Sequence, residues 1–235
     1  MYIYGKNVVK ETLNSNNNIT KAYVDKKSKE KDLIRELKNQ KIKIHFVDTI
    51  VLDRLAEGNH QGFVLEVSEV KTYPLDDLLI YSKENPPLVV ILDHLEDPHN
   101  FGAIIRTCEA MGVTGIIIPN DRSVGINSTV VKTSAGAINY IKIVHVPNLS
   151  VAIKKLKENG YWIVGTDMEG DDYTSIDYNM PTCLVIGNEG HGISRVVRNA
   201  CDFIVSIPMT GQINSLNASV SCGIVISEIV RKRRN

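Results

Sequence analysis

Ile204-Val205-Ser206-Ile207-Pro208-Met209-Thr210-Gly211-Gln212-Ile213-Asn214-Ser215-Leu216-Asn217-Ala218-Ser219-Val220-Ser221-Cys222-Gly223-Ile224-Val225-Ile226-Ser227-Glu228 holds the key to this chain. An apolar run stops at Pro208, a polar loop with Gly211 follows, and Asn217 can cap a helix whose first turns carry Ala218, Ser219, Ser221 and Gly223. Small residues at a helix start let backbone approach backbone closely. Such a strand, loop and tight helix can hold a small planar ligand through main-chain groups while Ser215 and Asn217 face a substrate. Taken alone, the stretch reads equally well as the last strand and helix of an α/β domain.

Two earlier stretches have the same strand-to-loop form. Asp93-His94-Leu95-Glu96-Asp97-Pro98-His99-Asn100-Phe101-Gly102-Ala103-Ile104-Ile105-Arg106 follows the apolar run Leu88 to Leu92, and Gly187-Asn188-Glu189-Gly190-His191-Gly192 follows Cys183 to Ile186. Between them the stretches hold Asn100-x-Gly-x-x-x-Arg106, Gly-Asn-Glu-Gly-x-Gly at 187–192, and Ile-Pro-Met through Ser-Leu-Asn at 207–217. In this order they resemble the three motifs of the SpoU-type RNA ribose 2′-O-methyltransferases, in the SPOUT superfamily.

Outside the motifs the chain is ordinary. Its 235 residues suit one large domain or two small ones, and 43% hydrophobic with 23% charged residues excludes a disordered or fibrous protein. No apolar run approaches the roughly 20 residues of a membrane span, and Met1 to Lys6 lack a signal peptide's apolar core. A cytoplasmic protein is expected. Lys plus Arg and Asp plus Glu both number 27, so any nucleic-acid site must be a local patch. Cys108, Cys183, Cys201 and Cys222 lack CxxC or Cys/His spacing, which predicts buried free thiols and no metal.

In chain order, residues 1–70 alternate helical stretches (6–13, 28–39, 49–57) with strands (22–24, 42–47, 63–70) and form one small α/β unit. Lysines 21, 26, 27, 29, 31, 38, 41 and 43 gather there, as a solvated surface or an RNA-facing patch. Residues 71–87, with prolines at 74, 86 and 87 around a short helix at 75–82, read as a linker. From residue 88 to 235, strands at 88–92, 115–118, 141–146, 162–166, 183–186 and 203–207 alternate with helices. Near-continuous Val, Ile and Leu runs predict a buried parallel sheet covered on both faces. Ligands bind such sheets outside the strands' C-terminal ends, where all three motifs begin.

The resemblance implies a fuller picture: a parallel-sheet SPOUT domain with a C-terminal trefoil knot, a homodimer, and a preceding ribosomal-protein-like RNA-binding domain whose Asn59-His60-Gln61-Gly62 turn is also similar. It implies S-adenosylmethionine as methyl donor, with no metal, gripped through the main chain at Gly187, Ile207 and Leu216 and less directly at Thr166. A side chain at Gly187 is expected to block the ligand. Ile207 and Leu216 read from sequence alone as core.

For catalysis the resemblance implies Arg106, Asn100, Glu189, Ser215 and Asn217. Arg106 is either the base for the ribose hydroxyl or a clamp on the neighbouring phosphate; a guanidinium stays protonated in proteins, which favours the clamp chemically. Asn100 is expected to cap its helix and to help place Arg106 or the ribose, and Glu189 to orient its partners or to sit at a helix start. Ser215 and Asn217 are expected to hold the target nucleotide or the Arg106 side chain. His94, His99 and His191 read as loop residues, and Arg231-Lys232-Arg233-Arg234 as a solvated helix end.

The substrate implied is RNA rather than DNA: a guanosine ribose in 23S ribosomal RNA, with transfer RNA as the alternative. A ribosome-associated RNA-binding protein without activity is a rival from another class. A nicotinamide-dependent oxidoreductase is a third, but no G-x-G-x-x-G follows the first strand of the sheet.

Overall fold

The computed structural model describes residues 1–14, 19–56, 58–68, 70–79, 86–212 and 215–234. Two sheets organise the chain. The first has four strands, β1 (Tyr2–Tyr4), β2 (Ile19–Asp25), β3 (Lys43–Val47) and β4 (Phe63–Val67), in the order β1-β4-β2-β3. Helices α1 (Lys6–Asn14) and α2 (Lys31–Asn39) cover one face, burying Val9, Leu13, Leu33 and Leu37 against Ile3, Val24 and Leu65. Helix α3 (Thr49–Leu55) packs against β2 and β4. Expected helix ends at Glu57 and 80–82, and Glu69 of the expected strand, lie outside the described residues.

The sequence reading missed β1, a Tyr-Ile-Tyr strand too short to show periodicity. It closes the sheet through antiparallel pairing of Tyr2, Ile3 and Tyr4 with Glu66, Leu65 and Val64. His60 is structural: its Nδ1 accepts from the Gly62 N–H (2.9 Å), so Nε2 carries the proton shared with Asp53 (3.0 Å).

The second sheet is parallel throughout, with β5 (Leu88–Leu92), β6 (Gly115–Pro119), β7 (Lys142–Val146), β8 (Trp162–Asp172), β9 (Thr182–Ile186) and β10 (Phe203–Ser206). Every residue of β5, β6 and β9 is buried, which is why those runs lack alternation. Helices α4 (Pro98–Ala110), α5 (Ser128–Thr133) and α8 (Ala218–Arg233) contribute to the core on one face. Helices α6 (Leu149–Glu158) and α7 (Arg195–Ala200) do so on the other. The expected helix at 75–82 is a single 3-10 turn over Leu75–Leu78, and its fully buried Leu78 packs into the α6–α7 core.

Strand order β10-β8-β9-β5-β6-β7 positions the site. The chain steps outward from β5 to β7, then crosses to the far side of β5 for the rest, so the order reverses between β5 and β9. A crevice opens where the loops leaving two such strands diverge.

Other details differ from the sequence reading. Strand β8 runs six residues beyond the expected 166, so Thr166 lies within it: after a register shift Asp171 and Asp172 pair with Val205 and Ser206, with Gly170 too close to the Val205 backbone for a Cβ (2.6 Å). Arg231 and Arg234 are exposed as expected of a solvated helix end, but Lys232 and Arg233 are not. Arg233 donates to the carbonyls of Pro86, Tyr178 and Met180, and Lys232 to those of Thr174 and Ile176, tying α8 to the loop after β8. Burial lowers the Arg233 pKa to about 10. Cys108, Cys183 and Cys222 are buried thiols, whereas Cys201 is only half-buried, and burial pushes Cys201 up to about 12.

Candidate active site

One amide joins the loops after β5, β9 and β10. Asn100 is 6% exposed, within the first turn of α4. It is not the cap: Asp97 caps α4 by accepting from the His99 N–H (2.9 Å), and Pro98 takes the position where a missing N–H costs nothing. That frees the Asn100 side chain. Its Nδ2 donates to Glu189 Oε1 (2.5 Å), and its Oδ1 accepts from Asn217 Nδ2 (2.8 Å) and, more weakly, from Ser219 Oγ (3.5 Å). A carboxylate only accepts, so Glu189 dictates which way the amide faces.

Asn217 caps α8 as expected, its Oδ1 accepting from the Ser219 N–H (2.9 Å) and hydroxyl (2.6 Å). Of the two roles anticipated for it, the tie to Arg106 is not made: its amide holds Asn100 instead. Glu189 sits in an exposed loop and not at a helix start, since α7 begins at Arg195.

The loop after β9 is braced from both sides. Asn188 and Gly192 exchange both backbone hydrogen bonds (3.0 and 2.9 Å), while the Asn188 Oδ1 accepts from the Gly190 N–H (2.8 Å) and its Nδ2 donates to the His94 carbonyl (2.9 Å). Gly187 is needed for this hairpin. A Cβ there would stand 2.1 Å from the Gly192 carbonyl carbon, so closure of the loop on itself already requires glycine. Asp93, 1% exposed, completes the brace by accepting from the Ser194 N–H (2.7 Å) and contacting His94 Nδ1 (2.5 Å). The sequence reading passed over Asn188, Asp93 and Ser219. An Asn two residues before a glycine is the signal of an Asx turn and marks Asn188; nothing local marks the other two.

Arg106 is exposed on α4, and among the described residues it makes no hydrogen bond or ion pair. Its five donors are free for an anion. Ser215 and Leu216 are exposed too, so Leu216 is not core, whereas Ile207 packs against the core as read. Thr166 Oγ donates to the Val185 carbonyl (3.1 Å), which pins β8 to β9 beside the site. Among the described residues, the main-chain groups of 207–212, 215 and 216 make no hydrogen bonds. Open peptide groups beside a polar triad suit a ligand gripped by main chain, and among the described residues no group of His, Cys, Asp or Glu side chains is placed to hold a metal ion.

The geometry has counterparts in known proteins. The SpoU rRNA methylase family matches residues 87–227, and a second family, RNA 2′-O ribose methyltransferase substrate binding, matches residues 2–73. YacO of Bacillus subtilis, placed by name in the TrmH family of tRNA/rRNA methyltransferases, is 43% identical over 99% of this chain and 96% of its own. The SpoU methyltransferase AviRb of Streptomyces viridochromogenes, solved with the cofactor AdoMet (S-adenosylmethionine), superposes with a TM-score of 0.83 at 27% identity, covering 100% of this chain and 91% of that one. An AdoMet-bound rRNA methyltransferase of Sinorhizobium meliloti gives a TM-score of 0.75 at 26% identity over 98% of this chain and 86% of its own.

Proposed function

Because this chain belongs to the SpoU rRNA methylase family, we propose that it transfers a methyl group from S-adenosylmethionine to the 2′-hydroxyl of a guanosine in 23S ribosomal RNA. The observation that carries the reading is the Glu189–Asn100–Asn217 chain, which gathers one polar group from each of three loops at the point where strand order reverses. The ribosomal substrate is favoured by the N-terminal unit, which the full-length likeness to an rRNA methyltransferase includes.

When bound, S-adenosylmethionine supplies a sulfonium methyl for in-line displacement. The open main chain at 207–212 and at Leu216, with the edge of the Gly187 turn, holds it in place. Ser215 faces the incoming nucleotide. Arg106 clamps the phosphate beside the target ribose with two parallel N–H bonds, and that phosphate or a water takes the hydroxyl proton; the alternative, Arg106 itself as base, needs a neutral guanidine. Asn100, oriented by Glu189, fixes the geometry of this end of the site. Alignment of the reacting atoms provides most of the acceleration in such a displacement.

The same reading divides the chain into an RNA-binding unit (1–70), a connection (71–87) and a catalytic unit (88–235). It places the protein in the cytoplasm, passes the last helix through a knot, and pairs two copies. Exposed Met209, Leu216 and Val220 around the start of α8 support the pairing. Sedimentation at micromolar concentration is expected to give about twice 26.1 kDa, and a species at 26.1 kDa alone rules the dimer out.

Transfer of labelled methyl to 23S ribosomal RNA and to bulk transfer RNA, both lacking the modification, tests the function. Label recovered as 2′-O-methylguanosine in the ribosomal RNA is expected. Label in transfer RNA keeps the chemistry and moves the substrate. No label in either RNA or in assembling ribosomal particles, with S-adenosylhomocysteine still bound, identifies an RNA-binding protein without activity.

A further inference from the structure

The first sheet has one face that its helices do not cover. Alternation puts Ile3, Ala22, Val24, Leu65 and Val67 toward α1 and α2, and so Tyr2, Lys21, Tyr23, Lys43, His45 and Glu66 on the opposite side. Helix α3 takes the Asp25 end of that face, where Thr49 Oγ donates to Asp25 (2.6 Å). Of the rest, Val64 is buried, Tyr4, Tyr23 and His45 are half-buried and Tyr2 and Lys43 are exposed, so the accessible part is lined with rings rather than with the polar residues a solvated face carries. Tyr23 stacks on His45 (centroids 5.5 Å apart, planes at 25°), and Tyr2 meets Tyr23 edge to face (6.2 Å, 68°). Tyr2 is 37% exposed, and Lys43 is exposed beside His45.

The cluster is held rigid. Tyr23 donates to Glu66 (3.0 Å), and Lys21 pairs with the same carboxylate oxygen (3.2 Å). Glu66 is thereby neutralised, which leaves Lys43 as surplus positive charge on the face. His45 Nε2 lies out of water with no partner among the described residues, so the imidazole serves as a packed plate beside Tyr23. Where the face meets the catalytic unit, a groove of about 520 Å³ runs between Tyr2 and Tyr4 on one side and Ile126, Ser128 and His145 on the other. That volume is in the range that holds one nucleoside-sized group.

We propose that this face, with Tyr2, Tyr23 and His45 as stacking surfaces and Lys43 as a phosphate contact, binds unpaired RNA bases and leads the strand into the interdomain groove toward the catalytic unit. The inference rests on the RNA substrate argued above. An apolar protein partner would leave Lys43 without a counter-charge, whereas unpaired bases offer ring faces and their phosphates offer negative charge. Stacking needs bases out of a duplex, so the ligand is single-stranded or looped RNA.

The test measures binding of a short unpaired RNA oligonucleotide, and of the same sequence in a duplex, to the full-length protein and to Tyr2→Ala, Tyr2→Trp and Lys43→Ala. Tyr2→Ala is expected to weaken unpaired RNA by about 5- to 150-fold, the loss typical of one stacked base, with Tyr2→Trp close to the original. Lys43→Ala is expected to lower the salt slope of binding by about one phosphate contact. S-adenosylhomocysteine affinity and thermal midpoint, unchanged in both Tyr2 variants, exclude misfolding. Equal binding of Tyr2→Ala and the original protein overturns the proposal, as does equal affinity for duplex. A changed sedimentation coefficient with RNA affinity intact assigns the face to a second copy and overturns it too. Failure of the original protein to bind either RNA is a different result: it removes the RNA substrate itself, and this face with it.

Discussion

Arg106→Ala is expected to lower kcat/KM for methyl transfer by about 100- to 1,000-fold, while S-adenosylhomocysteine binds as before. Arg106 is not spent on holding the fold together. It is exposed, and among the described residues it has no carboxylate or carbonyl partner, whereas Arg198, Arg231 and Arg233 are all engaged with acceptors of the chain itself. Removing an exposed, unpaired side chain costs the fold little, so a large loss of activity with an unchanged thermal midpoint belongs to the substrate complex. Arg106→Lys separates the two chemical roles. Lysine keeps the charge and loses the planar fork, so a phosphate clamp is weakened but not removed. A base reads in the opposite direction, because an amine releases its proton far more readily than a guanidinium; a lysine variant at least as fast as the original, with a rate rising toward alkaline pH, overturns the clamp. Full activity in Arg106→Ala removes Arg106 from the mechanism.

The parallel sheet and the three site loops were legible in the sequence for a physical reason. Strands β5 and β9, buried along their whole length, are written as unbroken apolar runs that end in polar loops at Asp93 and Gly187, and the half-buried edge strand β10 still reads Phe-Ile-Val before its loop. Local signals failed where the decisive contact is distant. Asn100 bonds residues 89 and 117 positions away, so its role as the link between three loops has no periodicity to betray it. Its misreading as a cap was avoidable, since Asp97-Pro98 is the stronger helix-start signal. Arg233 looks from sequence like any cation at a helix end. Only the return of residues 174–182 beneath α8 turns it into a buried donor to several carbonyls.

Asn100→Asp is expected to lose two to three orders of magnitude of activity at neutral pH, and to regain part of it as the pH falls. The change is nearly isosteric, so packing around this 6% exposed side chain stays as it is. What changes is the sign of one hydrogen bond. The Nδ2 that donates to Glu189 at 2.5 Å becomes an oxygen, and two carboxylates then face each other, the one at position 100 buried and Glu189 reaching it from an exposed loop. Breaking a charged hydrogen bond and opposing two like charges costs about 3–4 kcal/mol, which sets the size of the loss. The sign of the pH response follows from the same pair. Mutual repulsion raises the pKa at which the first proton binds above the usual carboxylate value; below that pKa the shared proton restores a donor between the two oxygens, and above it the donor is gone. The variant-to-original activity ratio therefore rises as the pH is lowered from 8 toward 5, a pattern that general destabilisation does not produce. Asn100→Leu, which removes donor and acceptor together, is the companion variant: it loses the Asn217 tie as well and has no proton to regain, so its ratio stays flat. A flat profile for Asn100→Asp, or near-original activity at neutral pH, shows that the Asn100–Glu189 bond does not hold the site in its working geometry.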